Sequence, residues 1–184
     1  MEQKLVFTDL DGTLLDHDTY DFTEAKPVLD ELRSRSIPVI ICSSKTRAEI
    51  ETYRERMNLD DPFISENGAA IFLPGDGLNL HGIDFVRKTP YRVIELGVPY
   101  ADLCAIWENL KNKESLPMEG FSEMTADDII AHTNLSREEA RLAAKREYSE
   151  PFMFSGTSAQ FDVLHKHVQE KGLTITKGGR FFHL

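Results

Sequence analysis

Short apolar runs alternate with longer amphipathic ones along the first third of the chain. Leu5-Val6-Phe7 is a β-favouring apolar run that stops where acidic residues begin, the pattern of a buried parallel strand. From Glu24 to Ser34, Val28, Leu29 and Leu32 fall on one face of a helix. Pro38 to Cys42 reads as a second buried strand, with Ser43-Ser44-Lys45-Thr46 at its C-terminal end. A second helix is predicted from about Arg47 to Met57, and Pro62-Phe63-Ile64-Ser65 as a third strand. Strand, helix, strand, helix, strand predicts an α/β fold, a doubly wound parallel sheet.

The pattern changes after Glu66-Asn67-Gly68. Pro74-Gly75-Asp76-Gly77 marks a turn, Val93 to Gly97 a strand, and Tyr100 to Asn112 a helix. Thr125-Ala126-Asp127-Asp128 and Ser136-Arg137-Glu138-Glu139 have the spacing of capping boxes, the second opening a helix predicted to reach Tyr148. Phe152 to Phe154 reads as a strand, and Ala159 to Lys171 as a helix stopped by Gly172. Leu173 to Lys177 and Arg180 to Leu184 flank Gly178-Gly179 as a hairpin. Phe121, Phe152, Phe154 and Phe161 are the expected core of this α+β half. The expected domains are residues 1–82 and 83–184.

In open parallel sheets ligands bind beyond the carboxyl ends of the strands. Thr8-Asp9, Ser43-Ser44 and Glu66-Asn67 each follow a predicted strand, so three segments converge on one edge. The formal charge of −10, from 31 acidic and 21 basic residues, argues against a nucleic-acid partner. A small phosphorylated substrate needs only a local cation and stays open. Cys42 and Cys104 form no C-x-x-C pair, so a zinc site or disulfide framework is not expected. No apolar run approaches the ~18 residues of a membrane span, so no membrane partner is expected and a cytoplasmic location is.

Candidate chemistry concentrates in Thr8-Asp9-Leu10-Asp11-Gly12-Thr13. Asp9 and Asp11 are two apart, on one face of a continuing strand. Crowded carboxylates need a metal cation, a shared proton or full solvation. A nucleophilic carboxylate assisted by a second acid, with magnesium as a hard cation, fits the first two; a solvated Asp-Gly turn fits the third. His165 and His167 are two apart on a helix, on different faces, and read as surface residues rather than metal ligands.

The stretch Thr8 to Leu15, TDLDGTLL, resembles the first motif of the haloacid dehalogenase superfamily of phosphatases. VIICSSKT (Val39 to Thr46), SENGAA (Ser65 to Ala70), SEPF (Ser149 to Phe152), GGRFFHL (Gly178 to Leu184) and TADDIIAHTNLSREE (Thr125 to Glu139) resemble its mannosyl-3-phosphoglycerate phosphatase family, in family order. The resemblance implies a Rossmannoid core with an inserted α+β cap of the C2 type. It implies a magnesium-dependent phosphatase that converts mannosyl-3-phosphoglycerate to mannosylglycerate through an aspartyl phosphate. Asp9 would be the nucleophile and Asp11 the general acid and base. Magnesium would be held by Asp9 and by Asp11 through its backbone carbonyl. Ser43, Ser44 and Lys45 would meet the phosphate, and Glu66, Asn67, Glu150, Arg180 and His183 the rest of the substrate. Each of these also has a plain reading, as turn, loop or hairpin-surface residues. The family's later motifs, an Asp-Lys-Gly lysine and a Gly-Asp-Gly-x-Asn-Asp run, should follow GGRFFHL, but the sequence ends at Leu184. A C-terminally truncated member is therefore expected, with an incomplete core, no strands flanking the first on its other side, and little or no activity. A phosphatase for another sugar phosphate, and an inactive binding or regulatory relative, remain as alternatives. No oligomeric state follows from the sequence.

Overall fold

A computed structural model describes residues 4–16, 19–114 and 116–184. The chain divides into two compact units, Met1–Gly97 and Val98–Leu184. In the first, a six-stranded sheet has the order β1-β2-β3-β4-β6-β5. Its strands are β1 (Val6–Thr8), β2 (Val39–Cys42), β3 (Phe63–Ser65), β4 (Ala70–Pro74), β5 (Val86–Lys88) and β6 (Tyr91–Glu95). β1, β2 and β3 are parallel, and β4, β5 and β6 continue the sheet antiparallel. Helices α1 (Lys26–Ser34) and α2 (Arg47–Met57) make the crossovers. The sheet reverses at Glu66-Asn67-Gly68, whose φ values of 50°, 60° and 95° put three successive residues in the left-handed region. That turn creates β4, which the sequence pattern does not separate from the loop after it. β5 and β6 pair onto β4, so the division by contacts falls at Gly97, later than the boundary expected at residue 82.

The first core is aromatic. Phe63 and Phe72 stack with centroids 4.8 Å apart, and Tyr91 meets both edge-on at 5.4 and 5.6 Å. Full burial of a Phe contributes roughly 1.5–3 kcal/mol, and each well-set aromatic pair about 0.5–1.5 kcal/mol more. Arg54 is buried against this cluster, 4.7 Å from the Phe63 centroid, and donates to the Asp61 carbonyl. At the opposite edge β1 has no outer neighbour among the described residues, and Leu5 and Phe7 are 58% and 62% exposed.

The second unit has a four-stranded antiparallel sheet in the order β7-β8-β10-β9. These strands are β7 (Met118–Gly120), β8 (Pro151–Phe154), β9 (Thr176–Gly178) and β10 (Phe181–His183). Leu103, Trp107 and Leu110 of α3 (Tyr100–Glu114) and Leu164 and Val168 of α6 (Ser158–Glu170) pack on Met118, Phe152 and Leu184. Phe121 joins α4 (Ala126–His132) and α5 (Arg137–Ala143) in a smaller cluster. Phe154 and Phe161 lie partly buried against the main core, so all four expected aromatic positions pack inside. The helix expected to reach Tyr148 stops at Ala143, because Arg146, Tyr148 and Ser149 turn inward and the Glu147 carbonyl accepts from the Tyr100 N–H. No helix among the described residues is long and apolar enough to cross a membrane.

Candidate functional site

The parallel strands deliver Asp9, Asp11, Ser43, Ser44, Lys45, Glu66 and Asn67 to one end of the first unit's sheet. Asp9 is exposed, and its Oδ1 accepts from the Leu10 N–H at 2.7 Å, which fixes the carboxylate and leaves Oδ2 outward. Gly12, with φ 69°, allows the chain to turn directly after the second acid. Asp11 is only part-exposed: its buried Oδ1 lies 3.1 Å from the Lys45 ammonium. Lys45 is 8% exposed and reaches Glu49 at 3.8 Å, with the Tyr20 and Tyr53 rings 5.2 and 5.8 Å away. Burial works against its charge, but Glu49 and Asp11 outweigh it, so its pKa is raised. Lys45 therefore meets the acids, and a phosphate would have to compete with Asp11 for it.

Glu49 is the residue sequence reasoning missed. Its other oxygen accepts from the Thr46 N–H and hydroxyl at 2.9 and 3.0 Å, closing the capping box that starts α2. The signal was present as Thr46-x-x-Glu49. Ser43 is buried and its hydroxyl accepts from the Lys45 N–H at 3.2 Å, which leaves its O–H as a donor. The left-handed turn is clipped to this loop: Asn67 N–H donates to the Ser43 carbonyl and Glu66 N–H to the Lys45 carbonyl, both at 3.1 Å. Glu66 is only 2% exposed, so the turn shapes the site and of its two polar residues Asn67 is the one that faces outward. Burial, with the charge of Asp9, raises the Cys42 thiol pKa.

Among the described residues no group of three or more His, Cys, Asp or Glu side chains could hold a metal ion. Asp9 offers a carboxylate oxygen with no hydrogen-bond partner among the described residues, and the Asp11 backbone carbonyl follows. Magnesium keeps several waters and takes as few as one or two carboxylates plus phosphate oxygens, so this pair fits part of such a shell.

The second unit holds Glu150, Arg180 and His183. Glu150 is fully buried: Oε2 accepts from the Tyr100 hydroxyl at 2.6 Å, and Oε1 from the Ser122 N–H and hydroxyl at 2.9 and 2.6 Å. Both oxygens are thus taken within the unit, so a substrate contact by Glu150, as the sequence suggests, would have to displace Tyr100 or Ser122. Gly120 completes this packing, because a Cβ there would lie 2.1 Å from Oε1. Burial raises the pKa of Glu150 despite its donors. Tyr100, Ser122 and Arg146 had no sequence signal. Arg180 is exposed and donates to the His132 carbonyl at 3.2 Å, beside a groove of about 620 Å³ that Lys111, Glu119, Met153 and Phe182 also line. His165 and His167 are half-buried rather than fully at the surface.

His183 is half-buried, with an Nδ1 that has no hydrogen-bond partner among the described residues. Burial first, then the charge of Arg146, pushes its pKa down from 6.5 to about 4. The folded chain thus refuses a proton that the unfolded chain accepts. Its contribution is complete above pH 6.5, is lost as pH falls towards 4, and is constant below. At about 1.4 kcal/mol per pH unit the loss approaches roughly 3 kcal/mol. Glu150, with its raised pKa, acts in the opposite sense. Urea midpoints at pH 7 and 4.5 should show a smaller acid loss in His183→Gln than in the parent; equal losses would refute the assignment.

The stretch TDLDGTLL sits on β1 and its turn, with the second-strand serine beside it, and the family described as haloacid dehalogenase-like hydrolase matches residues 6–181. The chain belongs to the haloacid dehalogenase-like hydrolase family. Its relatives lie in the mannosyl-3-phosphoglycerate phosphatase branch. It is 40% identical to the glucosyl-3-phosphoglycerate/mannosyl-3-phosphoglycerate phosphatase of Methanococcoides burtonii, over 98% of this chain and 66% of that protein. It is 36% identical to the mannosyl-3-phosphoglycerate phosphatase of Pyrococcus furiosus, over 97% of this chain and 70% of that protein. The chain thus spans about two thirds of the length of these relatives. Two solved structures superpose on it: a Thermoplasma acidophilum protein (TM-score 0.64, 16% identity, 100% of this chain and 64% of that one) and a Bacteroides thetaiotaomicron phosphatase of the haloacid dehalogenase superfamily (TM-score 0.63, 17%, 98% and 65%). At these identities the likeness shows the α/β fold alone.

Proposed function

We propose that this chain carries the nucleophile side of a magnesium-dependent phosphatase acting on mannosyl-3-phosphoglycerate or its glucosyl analogue, as its relatives' names say of them. The observation that supports it most is the unequal treatment of two neighbouring carboxylates. Asp9 is exposed and oriented by the Leu10 N–H, whereas Asp11 is held by Lys45. A nucleophile must be free and a proton-handling acid must be positioned, so Asp9 takes the first role and Asp11 the second. Ser43, with Ser44 beside it, offers a hydroxyl to the transferring group, and Asn67 stands at the rim. In the second unit Arg180 is an exposed cation of the kind that suits a glycerate carboxylate. Asp9 and the Asp11 carbonyl would hold magnesium, which supplies charge neutralisation on phosphate oxygens when bound. A cytoplasmic location belongs to the same reading.

Phosphate release from mannosyl-3-phosphoglycerate, its glucosyl analogue and simple hexose phosphates, with and without magnesium, tests this. The 184-residue chain is expected to release little phosphate, and what it releases to be magnesium-dependent, with kcat/KM at least about tenfold higher for the glycosyl-phosphoglycerates. Equal hydrolysis of hexose phosphates would favour a general sugar phosphatase. A second reading, a binding or regulatory protein, is favoured by the lack of a three-ligand metal group among the described residues. Substrate binding with no release would support it.

A further inference from the structure

β5 is the outer strand of the first sheet, paired on one side to β6 and on the other to no strand among the described residues. Its approach is unusually apolar. Leu78, Ile83, Phe85 and Val86 are 50%, 48%, 39% and 40% exposed, four large side chains within nine residues. Arg92 holds the Leu78 loop beside this edge by donating to the Gly75 and Leu78 carbonyls at 2.9 and 2.8 Å. Scattered exposed apolar residues need no explanation, but these four lie on and just before a sheet edge that no strand covers among the described residues.

The order of residues along that edge, Asp84-Phe85-Val86-Arg87-Lys88, is complementary to itself. Val86 and Lys88 lie opposite Val93 and Tyr91, on one face. Arg87 lies opposite Arg92 on the other face, and the Arg92 guanidinium sits 5.7 Å from the Phe85 ring. A second copy laid antiparallel about a two-fold axis at Val86 sets Val86 against Val86, Asp84 against Lys88 and Phe85 against Arg87. Each pair stays on one face, and the pairs are apolar, ionic and cation–aromatic. Centring the axis on Arg87 instead would oppose two arginines, so charge selects the register. Arg87 and Lys88 already meet Asp76 at 3.2 Å and Glu95 at 3.0 Å within their own chain. Their cationic groups can bridge to a second copy without leaving those acids.

We propose that the protein forms a two-fold dimer with a second copy of itself by antiparallel β5–β5 pairing centred on Val86. Strand addition at a free edge supplies main-chain hydrogen bonds, and the alternating side chains supply register. The two-fold axis makes the contact self-limiting, since one patch meets its own copy. The competing reading is that Arg87 and Lys88 guard the edge against pairing.

Sedimentation velocity of the 184-residue chain, from about 1 to 200 µM, decides between them. A concentration-dependent dimer is expected. Asp84→Lys, an exposed substitution, faces two lysines with two lysines and should weaken the dimer at least about tenfold. Asp84→Glu keeps the charge and should leave it within about threefold. Val86→Cys should form a disulfide-linked dimer on mild oxidation, because directly opposed strand residues approach to about 5 Å. A monomer at every concentration overturns the proposal. So does self-association indifferent to Asp84→Lys, which would place the contact elsewhere, for example at the exposed β1 edge.

Discussion

Asp9→Asn is expected to abolish whatever magnesium-dependent phosphate release the chain supports, while the melting temperature stays where it was. Among the described residues Asp9 makes one side-chain hydrogen bond, through Oδ1, with the Leu10 N–H as donor at 2.7 Å. An amide oxygen can accept the same bond, so the turn keeps its shape. What disappears is the anionic oxygen that attacks phosphorus. Asp11→Asn should behave differently. General acid–base groups contribute about 10²–10⁴-fold, so activity falls here too, but the change also removes the charge that Lys45 meets at 3.1 Å. Stability should therefore fall with activity in Asp11→Asn and remain level in Asp9→Asn. Phosphate release and thermal melting of the two variants side by side check this. An Asp9→Asn protein that retains more than about a tenth of the release rate would remove Asp9 from the nucleophile's role.

Local signals carried the elements that depend on local chemistry. α2 begins and ends where expected, at Arg47 and Met57, because Thr46 caps it and Asn58 adopts φ 53° beyond it. β2 and β3 were legible as apolar runs because strands covered on both faces need no alternation; β1 was legible as a run but is not the buried strand expected, since Phe7 is 62% exposed at the sheet edge. β4 was not: Asn67-Gly68 signals a turn, but the apolar run Ala70–Pro74 after it merges in the sequence with the Pro74-Gly75 loop, and nothing local says that it pairs back onto β3. The same limit applies to the site. That Asp9, Asp11 and Ser43 share one end follows from strand order. That Lys45 points at Asp11 rather than outward follows from side-chain packing between Tyr20, Tyr53 and the α2 cap. Glu150 illustrates it most plainly: its partners are 50 and 28 residues away, at Tyr100 and Ser122, and no periodicity connects them.

Lys45→Met is expected to cost about 3 kcal/mol of stability, read as a lower urea midpoint. Methionine matches the length of the aliphatic stem, so the cost comes from charge. Glu49 is 7% exposed at its side chain and would retain only the capping bonds from Thr46 to hold its negative charge. Removing one member of a buried pair leaves the other uncompensated, whereas removing both does not. Adding Glu49→Gln to Lys45→Met should therefore recover at least about 1 kcal/mol, since a glutamine can still accept from the Thr46 N–H. Lys45→Arg keeps the charge but not the compact ammonium that fits between two carboxylates, and should fall between the parent and Lys45→Met. If Lys45→Met costs less than about 1 kcal/mol and the double variant recovers nothing, the ammonium is not committed to the acids. It would then be available to an incoming phosphate. The two outcomes assign the same lysine to opposite duties, one positioning Asp11 and the other binding the substrate.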